Sequence, residues 1–212
     1  METLLGKISE FSFEEFVEEW EKQKEQFDEN QKQELISQII AFHYDDKEFP
    51  FFRKVLDLII DQDFNLNFNI EHWAPTILCL AVHVVSQNLF DYFISKGADI
   101  NFIGDPYALE DDDYVRSELK LEDRRYATCL DFALMKQSEL MTSDYHYERP
   151  DWTGIDTPWA EIDPSEEMTM SKRYYAYILE QAQYLYDVIH LNNLIDHIKQ
   201  SGGKSYRELN VG

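Results

Sequence analysis

Residues 76–101 read TILCLAVHVVSQNLFDYFISKGADIN, and this stretch decides the fold. Parts of it recur elsewhere, because residues 128–134 carry Thr, Leu and Ala at the same offsets as its first seven residues. Residues 54–60 and 193–199 likewise repeat the pattern of its middle part, residues 88–94. The sequence therefore predicts an internal repeat of a two-helix unit.

The same stretch resembles an ankyrin repeat without a gap. The family pattern is a Thr-Pro-Leu-His-x-Ala-Ala first helix, a second helix and a Gly-Ala-Asp-x-Asn end, and the GADIN sequence at 97–101 is the clearest match. Glycine at that end supplies a left-handed helix C-cap. From Asp63 to Gly97 is 34 positions, close to the ankyrin period of ~33 residues. Ile77 replaces the family proline, and Cys79 replaces the histidine.

This resemblance implies an all-α fold, namely a short, irregular ankyrin-like helical-hairpin solenoid with an N-terminal capping helix and two insertions. We expect one domain over 1–212, whose parts are an N-terminal cap (1–30), repeat 1 (31–67), repeat 2 (68–101) and repeat 3 (102–212). Gly97 and Gly202 are 105 positions apart. Repeat 3 must therefore hold insertions, which we place at about 102–122 and 137–189.

Individual helices are predicted from capping residues and apolar spacing. Ser12 and Glu15 form a capping-box pattern, so a helix is expected to begin there, with Phe13, Phe16, Val17 and Trp20 on one apolar face. Two more helices are predicted over 35–43 and 52–60, with a break at Phe49-Pro50. A later helix is predicted to turn one apolar face to the core: Tyr174, Ile178, Ala182, Leu185 and Ile189.

Acidic residues outnumber basic ones by 42 to 19, which gives a formal net charge of -23. Such a charge repels nucleic-acid phosphates and anionic lipid and attracts a cationic partner, although it could also serve solubility alone. We therefore expect a basic protein partner, no nucleic acid and no membrane. The chain has two cysteines, no secretory-signal pattern and no run of ~20 apolar residues, so a cytoplasmic location is predicted. We also expect a monomer.

The ankyrin resemblance also implies where a partner would bind, because the family uses its hairpin tips and the exposed face of its first helices. These positions correspond to His72 and Trp73 at one tip, to His83 on the first helix of repeat 2, and to Arg124 at the next tip. For Trp73, packing against the following repeat is an equally good interpretation.

The two insertions add acidic and aromatic residues. Asp111, Asp112 and Asp113 form a run that suits an arginine- or lysine-rich surface, although a solvated loop or a bound divalent cation would also account for it. Trp152 and Trp159 belong to an aromatic segment that we predict to anchor the partner. The alternative is that these rings cover the apolar edge of the array.

Catalysis is not indicated. The sequence has no His-Glu-x-x-His or Cys-x-x-Cys pattern, no glycine-rich phosphate loop and no Gly-x-Ser-x-Gly elbow, so we expect no cofactor and no metal. We predict a non-enzymatic protein-binding module, in one specific form an immunity or antitoxin protein that neutralises a basic toxin. A scaffold or a host-directed ankyrin effector is the alternative. A hydrolase using Asp144 and His146 is a further one.

Overall fold

The computed structural model describes residues 2–10, 12–70, 74–104, 128–142 and 184–210, and most of them are helical. Within these ranges the only extended pairing is an isolated bridge between Asn69 and Thr76. The prediction of an all-α chain is confirmed at this level. The helices are α1 (Glu2–Ser9), α2 (Phe13–Gln23), α3 (Glu29–His43), α4 (Phe49–Ile59), α5 (Ile77–His83), α6 (Gln87–Ser95), α7 (Cys129–Thr142), α8 (helical over 184–200) and α9 (Tyr206–Leu209), with 3-10 turns at Lys24–Gln26 and Asp46–Glu48.

Consecutive helices contact one another in pairs, and each also contacts the helix two positions along the chain. The pairs are α1 with α2, α3 with α4, and α5 with α6. The contacts two positions apart join α1 to α3, α2 to α4, α3 to α5, α4 to α6 and α5 to α7. α8 contacts α6, because the His197 imidazole lies 2.5 Å from the Asp91 carboxylate and edge-on to the Phe90 ring.

Side-chain hydroxyl caps start α5 and α7 in the same way. The Thr76 hydroxyl oxygen accepts a hydrogen bond from the Cys79 backbone N–H at 3.2 Å, and Thr128 does the same for Asp131 at 3.2 Å. Threonine at an N-cap satisfies a backbone donor that the helix itself leaves without a partner. The two matching sequence segments therefore share one local conformation, as the repeat of Thr, Leu and Ala predicted.

The predicted capping box at the start of α2 is wrong in its chemistry, although the helix does begin at Phe13. Ser12 makes no side-chain cap hydrogen bond. The Glu15 carboxylate instead forms an ion pair with Lys7 of α1 at 2.5 Å. In a capping box this carboxylate would accept a hydrogen bond from the Ser12 backbone N–H. α1 itself was not predicted from the sequence. Pro50 likewise lies in the first turn of α4 rather than before it, where its missing N–H costs nothing.

The core runs through all the helix pairs and is built mainly from phenylalanine, leucine and isoleucine. Its largest side chains with under 2% exposure include Phe16, Phe52, Phe90, Phe93 and Phe132. Of the predicted apolar face of α2, Phe16 and Trp20 are buried, whereas Phe13 and Val17 are half-buried. The prediction that Leu185 and Ile189 belong to the core is wrong, since these α8 side chains are 57% and 56% exposed. The other three residues of that predicted face lie outside the described ranges.

Two glycines end α6 and α8 with the same backbone geometry. Gly97 has φ +99° and Gly202 has φ +90°, the left-handed conformation that glycine adopts without strain. After each glycine, a backbone N–H returns to a carbonyl five residues earlier, from Ala98 to Phe93 and from Gly203 to Ile198. This is the Schellman pattern, and it confirms the predicted role of glycine as the C-cap.

Asparagine side chains join the loops that follow α4, α6 and α8. The Asn67 side-chain oxygen accepts from the Asp99 backbone N–H at 2.8 Å, and the Asn101 oxygen accepts from Lys204 at 2.9 Å. Each asparagine backbone N–H donates to the side chain two residues before it, to Asn65 and Asp99 respectively, both at 2.9 Å. One loop is thus held to the next by a repeated hydrogen bond.

The two cysteines lie on helices that contact each other and form no disulfide. Cys79 on α5 and Cys129 at the start of α7 are buried and free. Burial raises the pKa of the Cys79 thiol to about 12 and the pKa of the Cys129 thiol well above its ordinary range. Both sulfurs are therefore held as neutral thiols at neutral pH.

Among the helices of the described ranges, none combines the length and the apolar character that crossing a membrane requires.

Candidate functional site

A groove of about 700 Å³ lies where the α5–α6 turn, the Asp46–Glu48 turn and α8 meet. Because α5 begins after Thr76 and ends at His83, the groove lies at the opposite end of α5 from the predicted hairpin tip. Its lining is mostly polar, with a valine pair at the turn: Asp46, His83, Val84, Val85, Gln87, Asn88, Tyr186, Asp187, His190 and Asn193.

The α5–α6 turn is tight and contains a strained residue. The Val85 and Ser86 backbone N–H groups donate to the Val82 and Ala81 carbonyls, which turns the chain back within three residues of the end of α5. Val85 has φ +52°, a conformation that costs a β-branched residue on the order of 1–3 kcal/mol. Ser86 follows at once and caps α6, its hydroxyl accepting from the Leu89 N–H at 3.1 Å.

Asp46 is fixed in the groove by three donors. Its Oδ1 accepts from the Tyr44 hydroxyl at 2.7 Å, from the Ser86 hydroxyl at 2.6 Å and from the Asn88 amide at 3.2 Å, and its Oδ2 accepts from Asn88 at 3.1 Å. Burial acts to raise the pKa of Asp46, but these hydrogen bonds and the nearby His190 together lower it. The carboxylate therefore stays charged at neutral pH.

His83 lies at the end of α5 with its ring turned inward. The Nδ1 atom is buried and has no hydrogen-bond partner within the described ranges. Burial, aided by the charge of Lys136, lowers the pKa of His83 from 6.5 to about 4. The imidazole is therefore neutral at pH 7, and so low a pKa makes it a poor general acid or base near neutrality.

α8 contributes the outer wall of the groove. The Tyr186 ring is 55% exposed and rests against the His190 imidazole, with ring centroids 3.9 Å apart and planes at 32°. Leu185 and Ile189 lie beside it and are exposed as well. Asp187 and Asn193 complete the wall. An apolar surface thus adjoins a polar groove on one helix.

The charge of the groove is negative. Among the described residues its lining contains two aspartates, two histidines and no lysine or arginine. Oxygen acceptors from carboxylates and side-chain amides, next to an exposed aromatic ring, are the groups that receive a cationic side chain. Over the described ranges no group of three or more His, Cys, Asp or Glu side chains is placed to hold a metal ion.

Of the predicted partner-binding residues, only His83 lies in the described ranges, and it lines the groove. His72, Trp73, Arg124, the acidic run Asp111, Asp112 and Asp113, and both Trp152 and Trp159 lie outside them, as do Asp144 and His146. Sequence reasoning missed Asp46 and Tyr186. Ser86 before an apolar helix is a recognisable cap, but no sequence pattern links it to Asp46.

Comparisons with family models, curated proteins and solved structures found nothing similar to this chain.

Proposed function

We infer that the protein is a non-enzymatic binding module built as a short ankyrin-like array of helix pairs, and that it engages a basic protein. Three features support the array. Each helix contacts the one two positions along, the caps at Thr76 and Thr128 match, and the asparagine bonds repeat between successive loops. Stacked units of this kind present a rigid surface on which side chains can meet a partner.

The proposal of a basic partner rests on the groove, where the lining residues that the structure describes include aspartates but no lysine or arginine, and on the net charge of -23. A field of that sign speeds the approach of a cationic protein and disfavours anionic ones. In its most specific form the proposal is an immunity or antitoxin protein that neutralises a basic toxin. A scaffold or host-directed effector would use the same surfaces.

The test begins with the partner that co-purifies with the full-length chain, which is then produced separately and recombined with it. We expect a complex whose association rate constant falls about tenfold or more as salt rises from ~50 to ~500 mM, because screening shortens the reach of the charge. If the partner is a toxin, its activity should be lost at equal amounts of the two proteins. An acidic partner, or an association rate indifferent to salt, would overturn the proposal.

A charge-matched pair of variants sharpens this test. Changing Asp111, Asp112 and Asp113 to Asn should lower the association rate constant more than it raises the dissociation rate constant. The control changes three exposed glutamates near the N terminus to Gln, which alters net charge equally: Glu14, Glu18 and Glu25. If both triple variants slow association to the same extent, net charge alone and not the acidic run attracts the partner. That result contradicts the predicted role of the run.

The predicted anchors are tested by stability and binding together. Replacing Trp152 or Trp159 with Ala should weaken the complex by roughly 2 kcal/mol or more if the ring is an interface hot spot. The thermal unfolding temperature of the free protein should then be unchanged. A lowered unfolding temperature would instead make the tryptophan part of the free protein's fold.

A further inference from the structure

We propose that the groove at the α5–α6 turn receives a single arginine side chain of the partner, with its guanidinium on Asp46 and its plane against the exposed Tyr186 ring. This rests on the proposed function, because it supplies a site for one side chain of the basic protein. It places recognition at the end of α5 that carries His83, away from the hairpin tips where the family resemblance puts it.

Asp46 has acceptor capacity to spare at one oxygen. Oδ1 already receives three hydrogen bonds, whereas Oδ2 receives one, from Asn88. Oδ2 is therefore the less occupied of the two carboxylate oxygens and can accept a further donor. Within the described ranges no lysine or arginine forms an ion pair with Asp46. The donors present there are neutral, and the negative charge stays available to a cation from outside.

The site is organised before any cation arrives. Ser86 is buried and is held by its role as the cap of α6, and its hydroxyl donates to Asp46. Tyr44, whose ring packs on Phe52, donates to the same oxygen. Fixing the carboxylate in advance reduces the ordering that binding would otherwise require.

The rest of the lining favours arginine over lysine. A guanidinium is planar, carries five N–H donors and stacks on aromatic faces, whereas an ammonium is a compact, strongly hydrated point charge. Gln87, Asn88 and Asn193 line the groove together with Asp46 and Tyr186, and each of their side-chain amides carries an oxygen acceptor. Several acceptors spread beside a ring match a flat group with several donors.

The experiment titrates the full-length, isotope-labelled protein with N-acetyl-arginine amide, and in parallel with N-acetyl-lysine amide, which has the same charge. NMR shifts of the Asn88 and Asn193 side-chain amides report the groove. We expect saturable shifts with the arginine probe and at least about threefold weaker binding of the lysine probe, since the guanidinium makes more directed hydrogen bonds. Equal affinity for the two probes, or no saturable shift at these amides, overturns the inference.

Two variants and one control locate the contact. Asp46→Asn keeps the shape and most hydrogen bonds but removes the charge, and it should weaken arginine binding about fivefold or more. Tyr186→Leu lies on exposed helix surface and should weaken it about threefold, a second route if Asp46→Asn unfolds the turn. Asp196→Asn, also exposed on α8 but outside the lining, should change affinity less than twofold. If Asp46→Asn and Tyr186→Leu both weaken arginine binding no more than Asp196→Asn does, the inference is overturned.

Failure of the inference and failure of the proposed function can be told apart with the recombined partner. If association remains salt-dependent but Asp46→Asn leaves the dissociation rate unchanged, the arginine site is wrong and the proposed binding function is retained. A partner that associates without salt dependence removes the basic-partner proposal, whatever the free probe does. A dissociation rate raised about fivefold or more by Asp46→Asn but not by Asp196→Asn supports both.

Discussion

His83 should make the protein lose stability between pH 7 and pH 5, and replacing it with Gln should remove part of that loss. In the folded chain burial lowers the pKa of His83 from 6.5 to about 4. Between these two values the unfolded chain binds a proton that the folded chain does not, so the free energy of unfolding falls as the pH falls. Well above pH 6.5 neither state is protonated at His83, and below about pH 4 the loss is complete.

The size of the effect follows from the shift. At pH 5 the pKa of His83 in the unfolded chain lies 1.5 units above the solution pH, and one pKa unit corresponds to about 1.4 kcal/mol of free energy. The loss is then about 2 kcal/mol, which we reduce to roughly 1–2 kcal/mol because part of the ring is exposed to solvent. Many carboxylates also titrate at low pH, so the quantity to compare is the change in unfolding free energy between the two pH values in each protein.

Urea unfolding of the native protein and of His83→Gln at pH 7 and pH 5 measures that difference. We expect the variant to lose roughly 1–2 kcal/mol less than the native protein on going to pH 5. His43→Gln is the matched control, because burial lowers the pKa of His43 as well but His43 is less enclosed; its effect should be smaller. Equal pH dependence in the native protein and His83→Gln would refute the reasoning, as would an NMR titration that puts the His83 pKa at or above 6.5.

Three further predictions concern the turns and the loop contacts. In urea unfolding Val85→Asn should be about 1 kcal/mol less destabilising than Val84→Asn, because asparagine tolerates the φ of +52° at position 85 better than valine does. Equal losses in the two variants would contradict backbone strain at Val85. Asn101→Ala should lower the free energy of unfolding by about 1 kcal/mol and Asn101→Asp by clearly less, because only aspartate keeps an acceptor for the Lys204 backbone N–H. Equal losses in the two variants would mean that this hydrogen bond contributes little. Gly203→Ala should lower the unfolding temperature, because the added Cβ would lie 2.5 Å from Ile198. Gly6→Ala has open space around it and should raise the free energy of unfolding by about 0.5–1 kcal/mol. A Gly203→Ala protein more stable than Gly6→Ala would contradict the close contact at Gly203.

The parts of the fold that local chemistry decides could be predicted from the sequence. A threonine before an apolar run and a glycine after one restrict the backbone of their own few residues, and the caps at Thr76 and Thr128 and the left-handed Gly97 and Gly202 follow directly. The similarity between residues 76–82 and 128–134 is recognisable because the same local chemistry occurs in both.

The features that depend on which side chains contact one another in the folded chain could not be predicted. Apolar spacing on α8 indicates that one face is apolar, but it does not say whether the chain covers that face, and Leu185 and Ile189 are exposed. The Ser12 pattern predicted a cap, but Lys7 competes for the glutamate that the cap would use. At the groove, Asp46 and Ser86 lie 40 positions apart, and no sequence pattern joins residues so far apart.

The buried thiols of Cys79 and Cys129 give the protein its own reporters of opening. A small alkylating reagent attacks only an exposed thiolate, so it reacts with either sulfur only in molecules whose α5 and α7 have moved apart. The rate at which the native chain gains mass in such a reagent therefore measures how often the middle of the molecule opens, without any introduced label.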